Sequence, residues 1–201
     1  FKDFKFQHKR NQNQILFTSK RINDDFEIKN LINNFLKDKN SFIFESVEKG
    51  IIKGRYTIFG RNPDKIWEFN NNKSYSVNKF NLKKKIKGKP KKIIEKIIEN
   101  FKFKIPRGLP PISSLLSGYF SYDIIRYVEK IPNSCNDDLK IPDARILRPQ
   151  TLIVHDNYKH KIYYIVNCFS DEKIIDYKEK FNSIENQINN LIFTSNYDVN
   201  L

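Results

Sequence analysis

"IPDARILRPQTLIVHDNYKHKIYYIVNCF" runs from Ile141 to Phe169 and sets the class of fold. Two apolar runs flank a polar stretch, His155 to Lys159, that suits a turn. The pattern predicts a strand, a turn and a returning strand, which is an antiparallel pair.

Working outward, the same grammar recurs upstream. Ser41 to Val47 predicts a short strand, and "GRYTIFG" (Gly54 to Gly60) a second with glycine at both ends. "NPD" (Asn62 to Asp64) predicts a turn. "KIWEF" (Lys65 to Phe69) and "SYSVNKF" (Ser74 to Phe80) alternate as two more strands, close enough in sequence to pair as hairpins. Helical spacing appears at Phe26, Leu31, Ile32, Phe35 and Leu36, where Asp24 or Asp25 can cap the start. It returns at Ile93, Ile94, Ile97, Ile98 and Phe101, and again over residues 171–192. Ile105 to Pro111 holds too many prolines for a regular element. Gly118 to Tyr122 predicts a strand, followed by a helix capped by Asp123. Residues 1–20 are polar and basic, with one apolar patch at Ile15 to Phe17. Antiparallel hairpins with separate helices make an α+β fold.

The composition bounds function. The chain has 201 residues, 39% of them apolar, enough to bury a core. No apolar run approaches the roughly 18 residues that cross a bilayer, so no membrane partner is expected. Cys135 and Cys168 form no CxxC pair, and a cytoplasmic chain with free thiols is expected. The sequence opens on Phe1 and contains no methionine, so a fragment, or a start further upstream, is expected. The formal net charge of +14 raises nucleic acid as a partner. The lysines, however, spread along the whole chain beside abundant Asn and Ile, as codon drift produces. "KKKIKGKPKK" (Lys83 to Lys92) is the one cluster. It holds no aromatic ring to stack on a base, and a solvated loop is expected there, with no nucleic-acid partner.

Enzyme signatures are missing: there is no GxGxxG, P-loop, HExxH or GxSxG. His155 and His160 lack further ligands for a metal and are expected in an exposed turn. Asp137 and Asp138 beside Asn136 suit a cap better than a cation site. Asp123, Arg126 and Glu129 stand at i,i+3 spacing, a charge ladder on a helix face.

Three blocks carry a resemblance. "SFIFESVEKGIIKGRYTIFGRNPDKIWEF" (Ser41 to Phe69) is similar to the N-terminal region of anthranilate synthase component I, a chorismate-utilising family. "LPPISSLLSGYFSYDIIRYVEKIP" (Leu109 to Pro132) resembles its Leu-Pro-Pro and Gly-Tyr-x-Gly-Tyr-Asp sequence. "DDLKIPDARILRPQTLIVHD" (Asp137 to Asp156) resembles its Pro-Asp, Arg-Pro and Asp segment. The blocks occur in order across roughly residues 41–165. Ser121 stands where the family usually has Gly, and Ser113 and Ser114 lie in a stretch often rich in Gly or Ala.

The resemblance implies the N-terminal part of the family's layered α/β/β/α fold, with antiparallel sheets flanked by helices. A regulatory domain over residues 1–192 and the start of a linker over 193–201 are expected. It also implies an allosteric site for L-tryptophan at Glu45 and Ser46. A carboxylate holds an ammonium through a charge-assisted hydrogen bond, and a hydroxyl either donates to a carboxylate or accepts from an amine. Arg55 and Tyr56 are the added candidates, one for the ligand carboxylate and one for the indole. No catalytic or metal-binding residue is expected here. Chorismate and Mg²⁺ belong to the family's C-terminal chorismate-binding domain, and ammonia to a glutamine amidotransferase subunit. The alternatives are the related aminodeoxychorismate synthase component I of folate synthesis and a basic nucleic-acid-binding domain using Lys83 to Lys92.

Overall fold

The computed structural model describes residues 1–22, 36, 38–46, 54–78, 80–132, 137–172 and 176–194. The helix expected at 26–36 falls largely on 23–35, outside them, as do Cys135 and residues 195–201 of the expected linker.

The elements in chain order are α1 (Lys2–Lys9), β1 (Gln14–Arg21), β2 (Phe42–Phe44), β3 (Tyr56–Asn70), β4 (Lys73–Val77) and β5 (Lys83–Ile86). Then follow α2 (Pro90–Asn100), β6 (Ser117–Phe120), a 3₁₀ helix (Tyr122–Tyr127), β7 (Ala144–Asp156), β8 (Lys161–Cys168) and α3 (Tyr177–Thr194). The strands form an antiparallel sheet in the order β1-β8-β7-β3-β4-β5, with β2 paired to β3 and β6 to β7. The α+β class is as expected.

Contacts group the chain into two units. The first comprises residues 1–62, 103–114 and 150–201, the second 63–102 and 115–149. In the first, β8 is buried at every position from Ile162 to Cys168, so apolar residues run without alternation. Phe4, Ile22, Phe59, Ile153, Ile162, Tyr164, Val166, Cys168 and Ile184 form one core cluster, with Tyr177 and Phe181 packed against it. The Phe4 ring meets Phe181 edge-on at 5.6 Å. Each fully buried large side chain contributes on the order of 2 kcal/mol. In the second unit, Ile93, Ile94 and Ile97 of α2 pack on Phe69, Ala144 and Ile146. Pro90 stands at the start of α2, where its missing N–H costs nothing. The β3–β4 hairpin turns through Asn71 and Asn72, both at positive φ (48° and 59°), a conformation Asn tolerates.

Several expectations need correction. "NPD" is not a turn: β3 runs through it, with Asn62 at φ 50° and Pro63 following. The halves on either side pair with different neighbours, Ile58–Gly60 with β2 and Ile66–Asn70 with β4, so the strand absorbs a local kink. Lys83 to Ile86 is not a loop but β5, paired with β4. The first 20 residues are not featureless: they hold α1 and most of β1, all eight residues of which pair with β8. His155 is buried in β7, and only His160 stands in the turn. Asp123 does not cap a helix. It lies inside the 3₁₀ turn and accepts from Arg126 Nε at 2.8 Å. Arg126 Nη1 donates to the backbone carbonyls of Ile131 and Pro132 at 3.1 and 2.7 Å.

Two of the serines at the resemblance's departures have local explanations. Ser121 lies in extended backbone at φ −73°, where no glycine is required. Ser113 is fully buried and donates to the Pro110 carbonyl at 2.7 Å.

Candidate functional site

β2 and the start of β3 build the site. Phe42, Ile43 and Phe44 pair with Gly60, Phe59 and Ile58. The ladder ends at the Phe44–Ile58 pair, so Glu45 and Ser46 follow β2 directly and Tyr56 and Thr57 open β3 at the same end. Ile43 and Phe59 bury their face in the core, which fixes the ladder. Glu45 and Ser46, the two residues after β2, are exposed. Phe44 is 47% exposed, so an aromatic surface adjoins them. The Phe42 and Phe44 rings lie 5.0 Å apart, and Phe42 covers Gly60 so closely that a Cβ there would collide with its ring.

Arg55 and Tyr56 sit at the base of the same ladder. Arg55 grips Asp156 with two donors, Nε to Oδ1 at 3.1 Å and Nη2 to Oδ2 at 2.8 Å. Asp156 is almost wholly buried, whereas the Arg55 side chain keeps 24% of its surface. Burial pushes the Asp156 carboxyl up, but hydrogen bonds from Arg55 and from the Lys159 amide outweigh it, and its pKa lies below the ordinary carboxylate value. The Arg55 guanidinium lies 4.9 Å from the centre of the Tyr56 ring and 5.7 Å from that of Tyr158. Asn157 completes the join. Its amide donates to the Arg55 carbonyl at 2.8 Å, and its side chain donates to the Gly54 carbonyl at 3.0 Å.

Glu45 and Ser46 follow the last paired residue of β2 and Tyr56 opens β3, while the Arg55 fork is engaged by Asp156. Sequence reasoning did not single out Asp156 and Asn157 as partners of this strand. Asp156 closes the third resembling block, but 101 residues separate it from Arg55, and no local pattern pairs them. A second charged group went unnoticed in β3 and β7. Glu68 is 8% exposed, accepts from Arg145 Nε at 3.1 Å and forms an ion pair with Lys83 Nζ at 2.6 Å. Its signal was a carboxylate at an inward position of an apolar strand.

Among the described residues, no three His, Cys, Asp or Glu side chains are grouped to hold a metal ion. Asp137 accepts from the Lys140 amide at 3.0 Å, as a turn cap does. No helix among them is long and apolar enough to cross a membrane.

No family model matches the chain. Anthranilate synthase component 1 of Cereibacter sphaeroides is 31% identical over 166 residues, 81% of this chain and 33% of that protein. The protein of the same name from Acetivibrio thermocellus is 34% identical over 137 residues, 68% of this chain and 28% of its own length. A crystal structure of anthranilate synthase component I from Streptococcus pneumoniae superposes with a TM-score of 0.57 at 22% identity, covering 84% of this chain and 34% of that one. The chain therefore spans about a third of the length of the relatives it matches. With the three blocks in order, the eight-stranded antiparallel sheet and these identities, the chain belongs to the anthranilate synthase component I family.

Proposed function

We propose that this chain is the N-terminal, tryptophan-sensing part of an anthranilate synthase component I. The whole enzyme adds ammonia, released from glutamine by an amidotransferase subunit, to chorismate and eliminates pyruvate to give anthranilate. That is the first step toward tryptophan, so end-product inhibition is the regulation expected. Chorismate and Mg²⁺ are assigned to the part of the family chain beyond this one. The described residues here offer no metal cluster, and no step is routed through them.

The observation that carries the reading is the end of the β2–β3 ladder beyond the Phe44–Ile58 pair. Exposed Glu45 and Ser46 follow half-exposed Phe44 there, and Tyr56 opens the partner strand. Glu45 meets the ligand ammonium, Ser46 hydrogen-bonds its amine or carboxylate, and Tyr56 packs on the indole. Tryptophan bound there favours an inactive arrangement through a coupling of about 1–3 kcal/mol.

The test uses the full-length enzyme. Glu45→Gln and Ser46→Ala are expected to raise the tryptophan concentration for half inhibition at least about tenfold, since each removes a hydrogen bond with a charged group. Inhibition unchanged in both variants would overturn the assignment. A second measurement concerns the chain alone. Incubated with chorismate, Mg²⁺ and ammonium, it is expected to yield no anthranilate fluorescence, and measurable turnover would contradict the division of labour proposed.

A further inference from the structure

We infer that the β7–β8 turn positions this effector site, with Asp156 and Asn157 as positioning residues and Arg55 as the anchored post rather than a ligand to tryptophan. The inference rests on the functional reading above and names a control point for it that touches no ligand.

The geometry is a chain of short contacts. Asp156 is buried and holds the Arg55 fork by two hydrogen bonds. Its Oδ1 also accepts from the Lys159 amide at 3.1 Å, so the turn itself orients the carboxylate. Asn157 ties down two successive carbonyls, Gly54 and Arg55, and its side chain reaches Thr57 Oγ1 at 3.4 Å. These contacts fix the entry of β3 at consecutive residues. The fixed guanidinium lies 4.9 Å from the centre of the Tyr56 ring and 5.7 Å from that of Tyr158, contacts that help hold the Tyr56 ring in place. Tyr56 and Thr57 lead into Ile58, which pairs with Phe44, and Glu45 and Ser46 come directly after Phe44. A rigid turn thereby sets the positions of the site's own residues. Arg55 lacks the freedom a carboxylate ligand would need, because turning its fork outward strands the buried Asp156 charge.

The experiment compares four variants of the full-length enzyme by tryptophan inhibition and thermal unfolding. Asp156→Asn removes the charge that holds Arg55 at nearly constant size. It is expected to raise the half-inhibitory tryptophan concentration about tenfold, within the range for residues that contact neither ligand. Arg55→Lys keeps the charge but loses the fork, and is expected to shift inhibition in the same direction by a smaller factor. It also serves if Asp156→Asn fails to fold. Glu45→Gln reports on the site itself. Asp64→Ala, which breaks an ion pair in the other unit, controls for lost stability and is expected to leave the tryptophan response unmoved. Parental inhibition in Asp156→Asn and Arg55→Lys alongside resistance in Glu45→Gln overturns the inference and leaves the site standing. Resistance of equal size in Asp64→Ala also overturns it, since the effect is then general destabilisation. Parental inhibition in all four removes the effector site itself.

Discussion

Arg148 and Asp64 form a two-pronged ion pair inside the second unit: Arg148 Nε donates to Asp64 Oδ1 at 2.8 Å, and Nη2 pairs with Oδ2. Each side chain is only 10% exposed, and the guanidinium lies 6.0 Å from the centre of the Trp67 ring. Removing one partner leaves the other charge buried alone. Asp64→Ala is expected to cost roughly 3 kcal/mol and lower Tm by roughly 6–12 °C. Replacing both residues by apolar ones of similar volume is expected to recover most of that loss. Calorimetry on the single and double variants checks both.

Gly118 of β6 is pressed against the neighbouring strand. A Cβ there would collide with the carbonyl of Arg145, which is backbone and cannot swing away. Gly118→Ala is expected to destabilise by about 1–3 kcal/mol. In Gly60→Ala the obstacle is the Phe42 ring, a side chain, so adding Phe42→Leu is expected to restore part of the stability. Denaturant midpoints distinguish the two cases: the second site is rescuable and the first is not.

Acid sensitivity follows from Asp156. Its folded-state pKa lies below the ordinary value, so the unfolded chain binds the proton more readily. The stabilisation is therefore present above about pH 4, the unfolded carboxyl value, and is lost as pH falls through the lower folded value. Asp156→Asn is expected to flatten the acid limb of the stability curve and to change nothing in the shape between pH 6 and 8, a window this group does not titrate in. Tm measured at half-unit pH steps tests it.

Tyr127 gives the opposite limb. Its hydroxyl donates to Asp143 Oδ2 at 2.6 Å, and burial first, then that bond, pushes its pKa well above the ordinary tyrosine value. Stability from this pair is full below about pH 10 and declines as pH rises further. Tyr127→Phe is expected to lower Tm at neutral pH while weakening the alkaline decline. Absorbance titration at the tyrosinate band is expected to lose no early-ionising group in the variant.

The β7–β8 hairpin was legible because two long apolar runs leave the polar residues between them only a turn to make. Helix α2 was legible because Ile93, Ile94, Ile97 and Ile98 keep helical spacing behind a proline. Strand β1 was not. "QILFTSKR" carries few apolar residues and owes its conformation to eight pairs with β8, more than a hundred residues downstream. "NPD" misled because a turn signal is local, whereas the two partners that keep β3 extended are not. Only the resemblance tied Glu45 and Ser46 to tryptophan. The Arg55–Asp156 join could not be seen at all, since ion pairing across two distant loops leaves no periodicity to read.

Lysine usage takes on a different meaning at β5, the last strand in the order, where Lys83, Lys84 and Lys85 are all exposed. The outer rim of a terminal strand offers unpaired amide and carbonyl groups to any passing chain. Two copies approaching rim to rim would bring like charges together before a single hydrogen bond formed. Exposed lysines on that strand thus oppose edge-to-edge pairing there.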